Sequence, residues 1–242
     1  MNWANLLLMC ACAAAGGLVQ SVTGFGVGIV MMVFIPAFLP ILQGAAVSSL
    51  VGIPMQAVLI YRYRKSIRLD YMWKPLIFYL LTSALAISLA SGKDMSGLKT
   101  GFGVFLILLS LYFLLVSGKL KLKAGWTSAA VCGGISGAAS GLFGIGGPPM
   151  VLYFLALTGD DKYVYLGTLQ TFFMTTSLYT ATVRLANGIL TADLLPYVLA
   201  GIAGSLTGQR IGSLIIEKIN TETMKKLVYL FLGIAGLINV LG

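Results

Sequence analysis

Two glycine-rich segments of this 242-residue chain carry the residues best suited to hold a ligand. In the first, Gly24-Phe25-Gly26-Val27-Gly28 follows Gln20, Ser21 and Thr23; in the second, Phe143-Gly144-Ile145-Gly146-Gly147 runs into Pro148 and Pro149. Glycine frees backbone N–H groups and permits positive φ, while proline suits the first turn of a helix. A helix that stops and restarts at such a segment aims its unpaired amides and its dipole at one point, which makes a nest for an anion. Gln20, Ser21 and Thr23 add side-chain donors just before the first turn. The competing explanation of such glycines is close helix packing. That explanation suffices for Gly16-Gly17 and Gly133-Gly134, but the repetition of the motif and the Pro-Pro step favour ligand-bearing tips at Gly24–Gly28 and Gly144–Pro148.

Other polar residues at membrane depth are sorted by whether they can satisfy themselves. Ser48, Ser49, Thr171, Thr175, Thr176 and Ser177 can bond to their own helix backbone. Gln56 and Gln170 cannot do so readily and are candidates to line a pathway. Arg184 and Arg210 would attract an anion, but both lie near span ends and are expected to snorkel to the headgroups. All seven acidic residues fall in or beside loops and the chain has no histidine. An intramembrane cation site, a familiar proton relay and an acid–base or metal enzyme therefore lack their residues. Cys10, Cys12 and Cys132 form no ligand pattern. No catalytic residue, metal ligand or cofactor is assigned, and the neutral, donor-rich lining favours an anion.

The elements that must position these tips are read from hydropathy. The chain is 58% hydrophobic and 10% charged, with the charges confined between long apolar runs, which is the composition of an all-α integral membrane protein. Its net charge of +9 sits beside those runs, where the positive-inside rule and anionic lipid account for it and nucleic acid is not needed. The first apolar stretch lacks a basic leader and carries the first tip, so it is read as mature structure. The stretch from Trp126 to Leu157 is 32 residues, or about 48 Å as one helix, against a hydrocarbon thickness of about 30 Å. A broken or re-entrant hairpin resolves that mismatch, provided its tip is buried in protein or lines a wet cavity.

The tips recur at an offset of 118 residues, matching at Phe25/Phe143, Gly26/Gly144 and Gly28/Gly146. A second match at an offset of 126 pairs Phe105, Leu106 and Leu111 with Phe231, Leu232 and Leu237. This reads as a duplication: a first membrane repeat over 1–118, a connector over 119–125 and a second repeat over 126–242. Orientation follows from the basic residues. With each glycine-rich segment returning to the side it entered, 13 of the 16 share one side, leaving only Lys93, Lys99 and Arg184 opposite; with each crossing once, the division is 9 to 7. The rule selects the first arrangement, with the 13 in the cytoplasm. Each repeat is then a hairpin plus three transmembrane helices, and the two repeats are inverted. Trp73 and Trp126 fall at the expected interfaces.

With its two Gly-rich segments, each opening a four-segment hydrophobic repeat, the chain resembles the sulfite exporter TauE/SafE family. The stretch from Gly208-Gln209-Arg210-Ile211-Gly212 through Lys225-Lys226-Leu227 to Leu232-Gly233 is similar to that family's C-terminal pattern. The resemblance implies a multi-pass secondary transporter of the bacterial cytoplasmic membrane for a small anion such as sulfite, sulfoacetate or a related sulfonate. A passive anion or small-molecule channel on the same architecture is the alternative. The expected partners are that anion and membrane lipid; whether the chain forms a homo-oligomer is left open. The first segment departs from the second in having Gly28-Ile29-Val30 where the other has Gly146-Gly147-Pro148, so the two tips are expected to differ in rigidity or role.

Overall fold

The computed structural model describes residues 2–91, 96–111, 125–159 and 161–215. Among these residues the regular elements are all helical: α1 (Trp3–Thr23), α2 (Val27–Phe34), α3 (Ile41–Tyr63), α4 (Trp73–Ala90), α5 (Ser96–Leu111), α6 (Trp126–Phe143), α7 (Gly147–Thr158), α8 (Lys162–Ala186) and α9 (Leu195–Ile215). Most of the 119–125 connector, and the last apolar stretch with Phe231, Leu232 and Leu237, lie outside the described residues.

Among the described residues three segments, Trp3–Ser21, Ile41–Ser66 and Trp73–Ala90, are long and apolar enough to cross a membrane. Helix α4 shows why lipid is the solvent. Its buried face carries Pro75, Tyr79, Ser83 and Ile87 at a spacing of four, while Ile77, Leu81, Leu85 and Leu89 are 45–61% exposed along another face. A helix with polar groups inside and a stripe of leucines outside is stable only where the surroundings are apolar.

Both long apolar hairpins are broken at glycine. Helix α1 ends on Gly24, whose φ of 81° is left-handed, and α6 ends on Gly144, whose φ is 68°. In each case the cap N–H donates to the carbonyl four residues back, Gln20 in one half and Ser140 in the other. This geometry pairs Gly24 with Gly144 and Gly26 with Gly146, an offset of 120 rather than the 118 suggested by the phenylalanines. The sequence match aligns the phenylalanines, whereas the fold aligns the left-handed caps at Gly24 and Gly144 and the residues, Gly26 and Gly146, that start the next helix.

Small residues then set how the helices run. A Cβ at Gly204, Gly208 or Gly212 of α9 would strike Cys10 O, Ala14 O and Ser21 Oγ of α1, so residue numbers rise together and the two helices are parallel. Likewise Gly133, Gly137 and Gly141 of α6 abut Pro75, Tyr79 and Ser83 of α4. Helices α3 and α8 pack antiparallel, with Tyr63 beside Gly167, Gln56 beside Ser177 and Ser49 beside Arg184. Each half thus places its first helix against the fourth helix of the other.

These directions fix the hairpins. Ser21 near the end of α1, Arg62 and Tyr63 near the end of α3, Lys162 at the start of α8 and Arg210 near the end of α9 line one cavity, so all lie at one end of the bundle. Helices α1 and α3 both run toward this basic end, and α2 must return from it. Helices α4 and α8 both start there; α6 runs parallel to α4, so α7 returns toward it. The α1–α2 and α6–α7 hairpins therefore open toward opposite ends. At the basic end Trp73 and Trp126 meet edge to face, with Lys74 over both rings.

Candidate functional site

The two broken hairpins meet inside the bundle. A Cβ on Gly28 would lie 3.0 Å from Gly144 O and 3.1 Å from Ser48 Oγ, and one on Gly147 would lie 3.5 Å from the Phe25 ring. Around this crossing is a cavity of about 80 Å³, lined by both tips and by the facing surfaces of α3, α4 and α8. A single water requires roughly 10–15 Å³ by the same kind of measure, so there is room for a small ligand.

The first tip is held by a chain of neutral amides. Gln20 accepts from the Val27 N–H at 3.1 Å through its side-chain oxygen, and its amide nitrogen lies 3.5 Å from Gln170 Oε1. The Gln170 amide donates in turn to the Gly24 carbonyl. Thr23 closes the turn by donating to Phe25 O and, at 3.0 Å, to Val19 O. The buried Gly24 carbonyl at the end of α1 is thereby satisfied, while the first turn of α2 keeps N–H groups at Gly28 and Ile29 that no intrahelical carbonyl can reach. Both residues line the cavity.

The second tip is built differently. Its first helical turn contains Pro148 and Pro149, which have no N–H, so the amides remaining at the break are those of Ile145, Gly146 and Gly147. Ser136 donates to the Gly146 carbonyl. The end of α6 is covered by a charge: Arg184 donates to Ser140 O at 2.6 Å and Gly141 O at 3.2 Å, and its other terminal nitrogen to Ser49 Oγ at 2.8 Å. Arg184 is fully buried, and its Nε has no partner. Among the described residues the one ion pair is elsewhere, between Arg68 and Asp70 on the exposed 64–72 connection. There the Arg68 hydrogen bond holds the Asp70 carboxyl below its usual range.

Of the residues singled out in the sequence, Gln20, Phe25, Gly26, Gly28, Gln56, Gly144, Gly146 and Gly147 line the cavity. Gln56 donates to Ser177 Oγ at 3.4 Å and keeps its buried carbonyl oxygen unpaired. Thr23, Gly24 and Gln170 stand behind the lining and shape the first turn. Phe143 packs against Phe102 and Phe105, and Pro148 is buried in the start of α7. Ser21 faces the basic cavity, which measures about 640 Å³ and also carries Arg62, Lys162 and Arg210. Arg184 does not snorkel: the fold brings it to Ser49, two helical turns inside α3, and to the Ser140 and Gly141 carbonyls at the end of α6, and bonding there replaces a headgroup.

Tyr79, Ser140 and Phe173 also line the cavity and were not singled out. Tyr79 left one legible signal, a phenol within an apolar helix whose buried hydroxyl needs a partner. Ser140 and Phe173 left none, since each is ordinary in a membrane helix.

A helical membrane bundle with two broken hairpins meeting at a polar cavity defines the class of polytopic membrane transport proteins. The chain belongs to the sulfite exporter TauE/SafE family, whose sequence profile matches residues 8–238. It is accordingly a membrane transporter of a family that handles sulfite or related anions. No curated protein and no solved structure matched the chain.

Proposed function

We propose that the protein is a secondary transporter that carries a small sulfur-containing anion, sulfite, sulfoacetate or a related sulfonate, across the bacterial cytoplasmic membrane. The observation that carries this reading is the cavity itself. It lies where two helix breaks cross, it is lined by amides, hydroxyls and glycine backbone, and among the described residues no carboxylate lines it. Backbone N–H groups at helix starts are suited to oxyanions. The basic cavity at the end of the bundle supports the same reading, because Arg62, Lys162 and Arg210 would raise the local concentration of anions at its mouth. Transport by alternating exposure would use the two hairpins as the parts that shift against α3 and α8.

The test is uptake into proteoliposomes. With sulfite outside and an imposed ion or proton gradient, a secondary transporter accumulates sulfite above its external concentration. Equilibration without accumulation under every gradient would instead identify a passive channel.

The opposite openings of the two hairpins and the reciprocal packing of α1 with α9 and α6 with α4 support an inverted duplication, with the basic end in the cytoplasm. In a cysteine-free background, Ser66→Cys and Gly97→Cys should react with an impermeant maleimide from opposite sides of the membrane. Labelling of both from one side would rule out the inversion.

A further inference from the structure

We propose that Arg184 is the fixed counter-charge of the site and sets the charge class of the ligand, favouring monoanions, while acting from behind the lining without touching the ligand. This rests on reading the cavity as an anion site, and among the anions proposed above it selects the singly charged forms, hydrogensulfite and simple sulfonates, over the sulfite and sulfoacetate dianions. The guanidinium is fully buried, and its three acceptors are one serine hydroxyl and two carbonyls, with Nε left over. No carboxylate pairs with it among the described residues. The carbonyl end of α6 offsets part of its charge, since a helix C-terminus carries about half a negative charge. The remainder has no balancing group, and a buried ion without one is strongly disfavoured.

Ser49 and Ser140, which Arg184 bonds, both line the cavity, so the cation stands one residue behind the wall. A small apolar cluster of Leu42, Ala46, Ile87 and Ile189, with Val183 and Leu190 packed on it, sits at the same end of α8 and keeps water away. Chain reversal reinforces it, because the N–H groups of Ile189 and Leu190 both return to the Arg184 carbonyl. In that setting an anion in the cavity is the missing partner. Attraction to one cation grows in proportion to the ligand's charge, whereas the cost of stripping water from the ligand grows as its square. One fixed positive charge therefore matches one negative charge best.

The position also explains the chemistry of the second tip. Pro148 and Pro149 remove two amides from the start of α7, and the charge appears at the tip where those donors are missing.

The experiment measures binding of methanesulfonate, a monoanion, and sulfate, a dianion of similar size, to the purified full chain, with sulfite as reference. Wild type should prefer methanesulfonate to sulfate. A unit charge about 7 Å from a ligand at an effective dielectric of about 20 changes affinity roughly 50-fold. Arg184→Gln should lower methanesulfonate affinity by about that factor, and Arg184→Lys, which keeps the charge but loses the planar fork, should recover most of it. Equal affinity in wild type and folded Arg184→Gln would overturn the inference, as would a loss in Arg184→Lys as deep as in Arg184→Gln. If Arg184→Gln does not fold, the methanesulfonate-to-sulfate preference of wild type and Arg184→Lys decides: sulfate bound as well as methanesulfonate overturns it. Failure of wild type to bind sulfite or either probe would instead remove the anion-site reading on which the inference stands.

Discussion

The two glycine breaks solve one problem with different chemistry. Each must hide the carbonyl end of one helix and present the amide end of the next. At the first break the neutral side chain of Gln170 covers the Gly24 carbonyl, Gln20 takes the Val27 amide, and glycine at 28 leaves an amide free. At the second, prolines have taken the amides of the first turn and an arginine covers the carbonyls. The contrast teaches that the two breaks share a backbone conformation, the left-handed turns at Gly24 and Gly144, more closely than they share the groups that support it. A transporter built this way has one tip that is polar and uncharged and another that carries the charge.

The comparison breaks most decisively at Gln170. Gln170→Leu would leave the buried Gly24 carbonyl and the Gln20 amide without partners, each costing about 1–3 kcal/mol. At about 2–4 °C per kcal/mol for a chain of this size, thermal unfolding should fall by about 5–20 °C. The loss should be in stability, with anion charge preference kept, the reverse of the pattern expected at Arg184. A Gln170→Leu protein that melts like wild type would show that the first tip is held by packing.

An intermediate effect is expected at Gly146, where an added Cβ would lie 2.7 Å from Ser136 O and 2.9 Å from Ser140 Cβ. Gly146→Ala should destabilise by about 1–3 kcal/mol, as overpacking does. It is therefore a poor probe of ligand contact, contrary to what one methyl group at an isolated glycine would suggest.

The smallest expected effect is the most informative about binding. An added Cβ at Gly147 finds only ordinary contacts, 3.5–3.7 Å from the rings of Phe25 and Phe173. Gly147→Ala should melt within about 2 °C of wild type, a change of under about 1 kcal/mol. Because the residue lines the cavity, sulfite affinity should nonetheless drop severalfold. Unchanged affinity would return the second tip to a packing role.

Much of this was legible in the chain. The break at Gly144–Gly146 follows from a hydrophobic run too long for one helix and too short for two spans, that at Gly24–Gly26 from the recurrence of the glycine motif, and backbone conformation at glycine is a local property. The cavity lining at Gln20, Gly28 and Gln56 was legible for the same reason: amides and glycines at depth need a use. What sequence did not disclose is pairwise. That Gln170 reaches Gly24, or Arg184 reaches Ser140, depends on α8 crossing both hairpins, and nothing in residues 162–186 records which carbonyls will be near. Arg184 stands close to a helix end and so resembled a snorkelling side chain, because distance along the chain was the sole guide to depth.

The reciprocal packing of the halves has a consequence for how the protein is made. Helix α1 docks along α9, so its partner emerges about 190 residues later in synthesis. At about 5–20 residues per second that is an interval of roughly 10–40 s in which the face of α1 that carries Cys10, Ala14 and Ser21 lies in the bilayer without the glycines of α9 that it fits. Insertion and assembly are therefore separated in time, with the first half waiting as loosely associated helices. Helix α6 has no such delay, since α4 is already in place when it arrives. The order of synthesis makes the α6–α4 pair the natural first nucleus, and the α1–α9 pair the step that closes the bundle.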